Sequence, residues 1–241
     1  MELVEKLVAH KNLEESDCLV SFYIKALHPS IPTKEVIWKL EDWLTEQCVE
    51  MNEREKAKVY TKLAALYMNL NYFVCRDQFY KTTSGTAMGN PLSPLISEIF
   101  MKSIEEEIEK RGIMPKFWAR YVDDILVIIP NEDIEKTLEA INNIHHNITF
   151  TMEKEDDQRI AFLGLAIIRT NNKLEFDICR KETHTQRTIP RISKHTYGQK
   201  VAANYSMIHG LLVTPLIEER FKKEITYIKD TAVKNGYSRG K

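Results

Sequence analysis

The chain has little that would tie it to a membrane or to an oxidising compartment. In its 241 residues no apolar run approaches the roughly 18 needed to span a bilayer. The opening segment MELVEKLVAH carries a charge every few residues and has no signal-peptide core. No membrane partner is expected, and the setting is expected to be intracellular, nuclear or cytoplasmic. Only four cysteines are present, Cys18, Cys48, Cys75 and Cys179, far apart and in no C-x-x-C pattern. That spacing argues against a disulfide framework and predicts reduced, structural thiols. There are no repeats and no low-complexity tracts. Net charge is close to zero at −1, and 43% of residues are hydrophobic, so the chain reads as one large or two small globular domains.

The near-zero net charge hides an asymmetry. From Arg180 to Lys241 there are 13 Lys and Arg against 5 Asp and Glu, a net of +8, while the remainder carries 21 against 30, a net of −9. A basic C-terminal segment suits a phosphate backbone, although a solvated basic helix face explains the same count.

The apolar pattern predicts an α+β chain. Cys18–Ile24 reads as a buried strand, ended by Pro29 and Pro32. Thr33 is the expected N-cap of a helix whose apolar face is Val36, Ile37, Leu40, Trp43 and Leu44. A second helix has Val59, Tyr60, Leu63, Leu66 and Tyr67 on one face. Tyr72–Tyr80 reads as a short hairpin. Ser93-Pro94 then opens a helix, with Ser at the N-cap and Leu95, Ile96, Ile99, Phe100 and Ile104 turned inward. Ile134, Leu138 and Ile141 mark another helix, and Ile148, Phe150 and Met152 alternate as a strand. Phe162–Arg169 and Lys173–Arg180 flank an Asn171-Asn172 turn, and the pattern from Gln199 to about Gly236 is helical. Trp38, Trp43 and Trp118 are expected in the core. His145-His146 is expected at a solvated helix end, and His184 and His195 are too isolated to suggest zinc.

Two segments carry chemistry. In Trp118-Ala-Arg-Tyr-Val-Asp-Asp-Ile-Leu-Val-Ile-Ile129, two adjacent carboxylates, Asp123 and Asp124, fall between β-prone runs that pair as a hairpin. An Asp-Asp pair by itself is common at surface turns. Here the flanks describe a buried strand pair, on which two carboxylates are costly unless exposed or bound to a cation such as Mg²⁺, which prefers oxygen ligands. The second segment is the small-residue loop from Thr82 to Pro91. Gly85 and Gly89 permit positive φ and close approach, and the loop feeds a helix N-terminus.

Together, GTAMGNPLSPLISEIFM followed by WARYVDDILVI resembles motifs B and C of reverse transcriptases, with their Tyr-x-Asp-Asp signature. The wording is most similar to the Penelope-like retroelement polymerases, a telomerase-related branch. LVSFYIKALHPSIP resembles motif A, and AFLGLAIIRTNNKLEFDICRKETHT resembles the region after motif D with its primer-grip hairpin. Ser193-Lys-His195, Lys200 and Asn235-Gly-Tyr237 match in character.

The resemblance implies a right-hand polymerase palm over residues 1–182, an antiparallel sheet backed by helices. A basic, helical, thumb-like segment would follow over 183–241. It implies an RNA-directed DNA polymerase that joins a dNTP to a DNA primer on an RNA template, using two Mg²⁺ ions about 4 Å apart. Asp123 and Asp124 would be the motif C metal ligands. Gly85, Met88, Gly89 and His28 would lie at the nucleotide and template, and Arg180, Lys181, Lys200, Lys222 and Lys223 would face the RNA–DNA hybrid.

The chain departs from that pattern where it matters most. The motif A aspartate is replaced by Tyr23, and a tyrosine phenol, neutral at pH 7, does not substitute for a carboxylate on Mg²⁺. Asp17 shares its strand parity but lies about 20 Å along the strand. His28 stands where the family has an aromatic gate, Thr82 where it has Gln, and Glu182 where it has Pro. Residues 1–16 are too few for a fingers subdomain. The expectation is therefore a truncated, inactive copy. The alternative is a non-catalytic nucleic-acid-binding pseudoenzyme, and an unrelated α+β domain with a structural acid turn leaves the order of motifs unexplained.

Overall fold

The computed structural model describes residues 2–10, 13–46, 51–170 and 173–238. In chain order the elements are α1 (Glu2–Ala9), β1 (Asp17–Ile24), α2 (Leu27–Ser30), α3 (Thr33–Glu46), α4 (Met51–Met68), β2 (Tyr72–Cys75), β3 (Gln78–Lys81), α5 (Ser93–Lys110), β4 (Phe117–Tyr121) and β5 (Asp124–Pro130). They continue with α6 (Ile134–Asn142), β6 (Phe150–Lys154), β7 (Arg159–Phe162), β8 (Leu165–Thr170), β9 (Lys173–Ile178), α7 (Tyr197–Val213) and α8 (Glu218–Lys234). The expected α+β class is what is found. Two compact units divide the chain, one comprising Ser21–Glu153 and the other Met1–Val20 with Lys154–Lys241.

The unit of Ser21–Glu153 is built on a sheet of order β4-β5-β1-β6. Its centre is dry: Ile125 to Ile129 of β5 and Phe22 and Ile24 of β1 are all buried. A strand buried on both faces has to be apolar at every position, which is why β5 reads as a continuous aliphatic run. Helix α5 supplies Ile96, Phe100, Met101, Ile104 and Ile108 as its buried stripe. At about 1.5–3 kcal/mol for each large apolar side chain taken out of water, this stripe and β5 dominate the unit's stability.

Several expectations need correction. Helix α4 forms, but its large apolar side chains Val59, Tyr60, Leu63, Leu66 and Tyr67 are exposed, and Ala57, Thr61, Ala64 and Met68 are buried. The small residues Ala57, Thr61 and Ala64, at i, i+4 and i+7, let α4 approach α3 closely, while the larger stripe is left outward. Thr33 does not serve as the cap before α3. It is the helix's first residue, and its hydroxyl donates to the Gly85 carbonyl at 3.1 Å. Ser93 likewise lies inside α5, with Leu92 at the N-cap, and donates to the Ala87 carbonyl at 2.7 Å. Leu95 is exposed, and Trp38, expected in the core, is 75% exposed. His145 is not at a solvated end. Its Nε2 lies 3.2 Å from a Glu35 oxygen, and its ring meets Phe100 edge-on at 5.1 Å.

The other unit holds the antiparallel sheet β7-β8-β9 and helices α1, α7 and α8. The β7–β8 turn puts Leu163 and Gly164 at positive φ. The register Thr170↔Lys173 is that of a two-residue hairpin; the Asn171-Asn172 turn itself lies outside the described residues. Asp17, buried, accepts the Glu14 N–H at 2.9 Å and so closes a turn. Helix α8 is tied to β9 by Arg220, which pairs with Glu175 at 2.9 Å and donates to the Phe176 carbonyl at 3.1 Å.

Arg180 binds both carboxylate oxygens of buried Glu224 and lies 3.7 Å from the centroid of the Tyr227 ring. Removing one member of such a pair strands the other charge. We expect Arg180→Ala to lose about 3 kcal/mol in urea denaturation, and Arg180→Met with Glu224→Leu to lose far less. A loss under about 0.5 kcal/mol for Arg180→Ala contradicts this.

Candidate active site

Strands β4 and β5 pair in the register Tyr121↔Asp124, leaving Val122 and Asp123 as the two-residue turn. Val122 has φ 58°, a conformation that β-branched residues rarely adopt. The turn is therefore held by its surroundings. The Ile24 N–H donates to the Asp123 carbonyl at 3.0 Å, pinning the acid turn against the end of β1. Both carboxylates sit half-exposed at the rim of the sheet, and the backbone of Tyr23 is one residue from the pin. On β1, Phe22 and Ile24 face the core and Tyr23, 44% exposed, faces outward. Among the described residues no three His, Cys, Asp or Glu side chains gather to hold a metal ion.

The small-residue loop closes against the segment that follows β1. Gly85 has φ +75°, and a Cβ there would stand 2.4 Å from the Pro29 carbonyl oxygen and 2.7 Å from that of His28. Only glycine fits, for both reasons. Next to it, the Thr86 N–H donates to the His28 carbonyl at 2.7 Å, and the His28 Nδ1 and Thr86 hydroxyl lie 3.0 Å apart. His28, expected at the nucleotide, has its ring engaged with the loop. Gly89 has φ +94° with open space around its Cβ position, and Met88 is 86% exposed at the loop's tip. Residues from three separate parts of the sequence, 23–28, 85–89 and 123–124, are thus assembled in one unit.

Behind the acid hairpin, Arg120 of β4 bridges Glu98 and Glu105 of α5, with nitrogen–oxygen distances of 2.7–3.2 Å, and the Trp118 indole N–H also donates to Glu105 at 2.8 Å. Burial works against the Arg120 charge, but the bonds to the two carboxylates outweigh it and hold the guanidinium more firmly protonated than usual. The bond to Arg120 holds the Glu98 carboxyl below the usual range. This clamp fixes the hairpin to its helix. No apolar period marks a charged contact of this kind, so the sequence pattern does not reveal it.

The basic candidates differ among themselves. Arg180 is engaged with Glu224, as described. Lys181 and Lys223 are exposed, and Lys222, also exposed, pairs with Glu218 one turn away. Lys200 is half-buried. The Asn235 side chain binds the backbone of Gln186 and Thr188 at 2.7–2.9 Å, and the Tyr237 phenol lies 2.8 Å from the carbonyls of Ile189 and Lys200. Asn235 and Tyr237 therefore fix the irregular stretch before α7.

A family model described as reverse transcriptase (RNA-dependent DNA polymerase) matches residues 2–166. No curated protein matches the chain. Among solved structures it is similar to telomerase from Candida albicans in complex with the TWJ fragment of telomeric RNA, at TM-score 0.66 and 12% identity, covering 97% of this chain and 43% of that one. It is similar also to apo telomerase from Candida tropicalis, at TM-score 0.58 and 12% identity, covering 97% and 43%. The Sicinivirus 3Dpol RNA-dependent RNA polymerase matches at TM-score 0.53 and 14% identity, covering 94% and 49%. At these identities the likeness is one of fold, and the chain spans less than half the length of each structure.

Proposed function

The chain belongs to the reverse transcriptase (RNA-dependent DNA polymerase) family, and on that premise we propose that it is a palm and thumb segment of a Penelope-like retroelement polymerase whose metal site is incomplete. The palm is residues 1–182 and the thumb 183–241. The observation that carries this reading is the bond from the Ile24 N–H to the Asp123 carbonyl, which sets the acid turn beside Tyr23. The wording of the two motifs and the fold likeness to telomerase support the Penelope-like branch.

In such a palm, carboxylates from both walls of the site would hold Mg²⁺, which would supply Lewis-acid stabilisation for nucleotidyl transfer. Asp123 and Asp124 furnish one wall. On the other, Tyr23 offers a phenol, which does not bridge hard dications. The donor set does not fit the two-ion site, so no catalytic step is assigned to it. What remains to the chain is binding. Gly85, Met88, Gly89 and His28 form the wall toward nucleotide and template. Lys200, Lys222 and Lys223 of the thumb, with Lys181 at the end of the palm, offer positive charge to an RNA–DNA hybrid, while Arg180 positions α8.

Neutralising Lys222 and Lys223 is expected to weaken binding of a fluorescent RNA–DNA hybrid. It is also expected to lower the slope of log affinity against log salt by about 1–2. An unchanged slope counts against the thumb assignment. The second reading, a pseudoenzyme retained for nucleic-acid binding, is favoured by the same Tyr23 together with the +8 segment from Arg180 to Lys241. Its signature is tight, salt-dependent hybrid binding with no polymerisation.

A further inference from the structure

Helix α4 carries two apolar stripes, and the chain buries one of them. Ala57, Thr61, Ala64 and Met68 are buried, while Val59, Leu63, Leu66 and, just past the helix end, Leu70 are each 54–59% exposed. Steps of four, three and four residues set these last four along one line, the spacing by which helices pack against one another. Beside this ridge runs a groove of about 600 Å³. Leu63, Leu66 and the Tyr60 and Tyr67 rings belong to its α4 wall, and Trp43 of α3 and Leu95 of α5 line it from the other helices. Among the described residues, no charged one lines it. Contiguous exposed apolar surface of this kind marks an interaction site.

Charge is laid out unevenly about the ridge and the groove. Lys58 and Lys62 are exposed and, by the helical period, flank the ridge on the side away from Tyr60 and Tyr67. Beyond the groove, Trp43 and Leu95 lead into a second hollow of about 460 Å³. Its charged lining is Asp42, Glu46, Glu98 and Glu106 against Lys39 and Lys102. Glu98 is bound by Arg120 and Lys39 by Glu35, so the balance of the hollow is acidic. The order across the face is therefore cation, ridge, groove, acid, all of it within the unit of Ser21–Glu153.

We propose that this face is an interface between two copies of the chain, with the ridge of each seated in the groove of the other. A two-fold axis parallel to α4 reverses the order of features on the facing copy. Ridge then meets groove twice, and Lys58 and Lys62 of each copy meet Asp42 and Glu46 of the other. Self-complementarity of this kind is what a two-fold contact requires. A single helix of another protein would fill the groove but leave the ridge and its lysines in water. The interface uses neither the acid turn nor nucleic acid, so it stands or falls apart from the reading of the chain as a polymerase segment.

Sedimentation equilibrium of the full chain, free of nucleic acid, tests this. The unmodified chain is expected to show the mass of two chains at about 10 μM, within the range of affinities that standard interfaces reach. Leu63→Glu with Leu66→Glu should weaken the dimer about tenfold or more, with circular dichroism unchanged, because both side chains are exposed. Trp38→Ala, on α3 but outside the groove, should leave the dimer as it is. Lys58→Glu with Lys62→Glu should give single chains at the same concentration, and so should Asp42→Lys with Glu46→Lys, since like charges then face one another in both contacts. Mixed in equal amounts, those two charge-reversed variants should pair, because every facing pair is again of opposite sign.

A single-chain mass for the unmodified protein up to about 100 μM overturns the proposal. A dimer that survives Leu63→Glu with Leu66→Glu overturns it too, as does equal loss on Trp38→Ala. Should the Leu variant fail to fold, the mixture decides alone: charge-reversed variants that associate no better together than apart overturn the proposal, and pairing only on mixing upholds it.

Discussion

Replacing Tyr23 with Asp is expected to strengthen divalent-cation binding at the acid turn. Tyr23 is nearly half exposed on β1, so the smaller side chain costs little in packing. The new carboxylate would extend from the strand whose next residue is bonded to the Asp123 carbonyl at 3.0 Å. A third oxygen-rich ligand beside Asp123 and Asp124 should tighten Mn²⁺ binding, a spectroscopic stand-in for Mg²⁺, by about tenfold or more, equivalent to roughly 1.4 kcal/mol. Electron paramagnetic resonance titration measures this directly. Adding Asp123→Asn to Tyr23→Asp should remove the gain. Equal Mn²⁺ affinity in the unmodified chain and in Tyr23→Asp would show that the two walls do not meet as described.

The second large effect is expected at Gly85. In Gly85→Ala the added Cβ would overlap the Pro29 and His28 backbone, at 2.4–2.7 Å, on a residue whose φ of +75° already disfavours a side chain. Neither neighbour is the end of a flexible side chain, so the loop has to move. We expect a loss of about 3 kcal/mol or more in urea denaturation. Faster proteolysis between Thr82 and Pro91 should accompany it, as the Thr86–His28 bonds give way. Gly89→Ala is the informative contrast. Its φ is as unfavourable but nothing lies within 4 Å of the new Cβ, so a loss of about 1 kcal/mol is expected. Similar losses at both positions would mean that the close approach of the loop to Pro29 is not what requires glycine at Gly85.

What could be read from the sequence followed from periodicity and turn chemistry. β5 announced itself through five consecutive aliphatic residues bounded by acids and Pro130, and the β4–β5 hairpin through the run on either side of Asp123. The β8–β9 pairing followed from two β-prone runs either side of a short Asn turn. Periodicity failed on α4 because two stripes compete there. The larger one, from Val59 to Tyr67, lies outward, and the smaller one, from Ala57 to Met68, packs. Side-chain size does not reveal which stripe meets a neighbour when close approach favours alanine.

Caps were misplaced at Thr33 and Ser93 because their hydroxyls are taken by the Gly85 and Ala87 carbonyls, contacts made with a loop distant in sequence or several residues back. The Arg120 clamp and the Asn235 and Tyr237 ties were invisible for the same reason. A polar side chain's partner is set by the tertiary fold, and no local period encodes it. At the candidate site the residue types were legible. The engagement of His28 with Thr86 and of Arg180 with Glu224 was not.

Primer extension by the unmodified chain, on an RNA template with a DNA primer, dNTPs and Mg²⁺, tests the proposal of an incomplete metal site most directly. A palm with Tyr23 in place of a bridging carboxylate should yield no extension above that of a Tyr23 chain carrying Asp123→Asn. Mg²⁺-dependent extension by the unmodified chain, abolished by Asp123→Asn, would contradict the proposal and establish a working active site without the motif A acid.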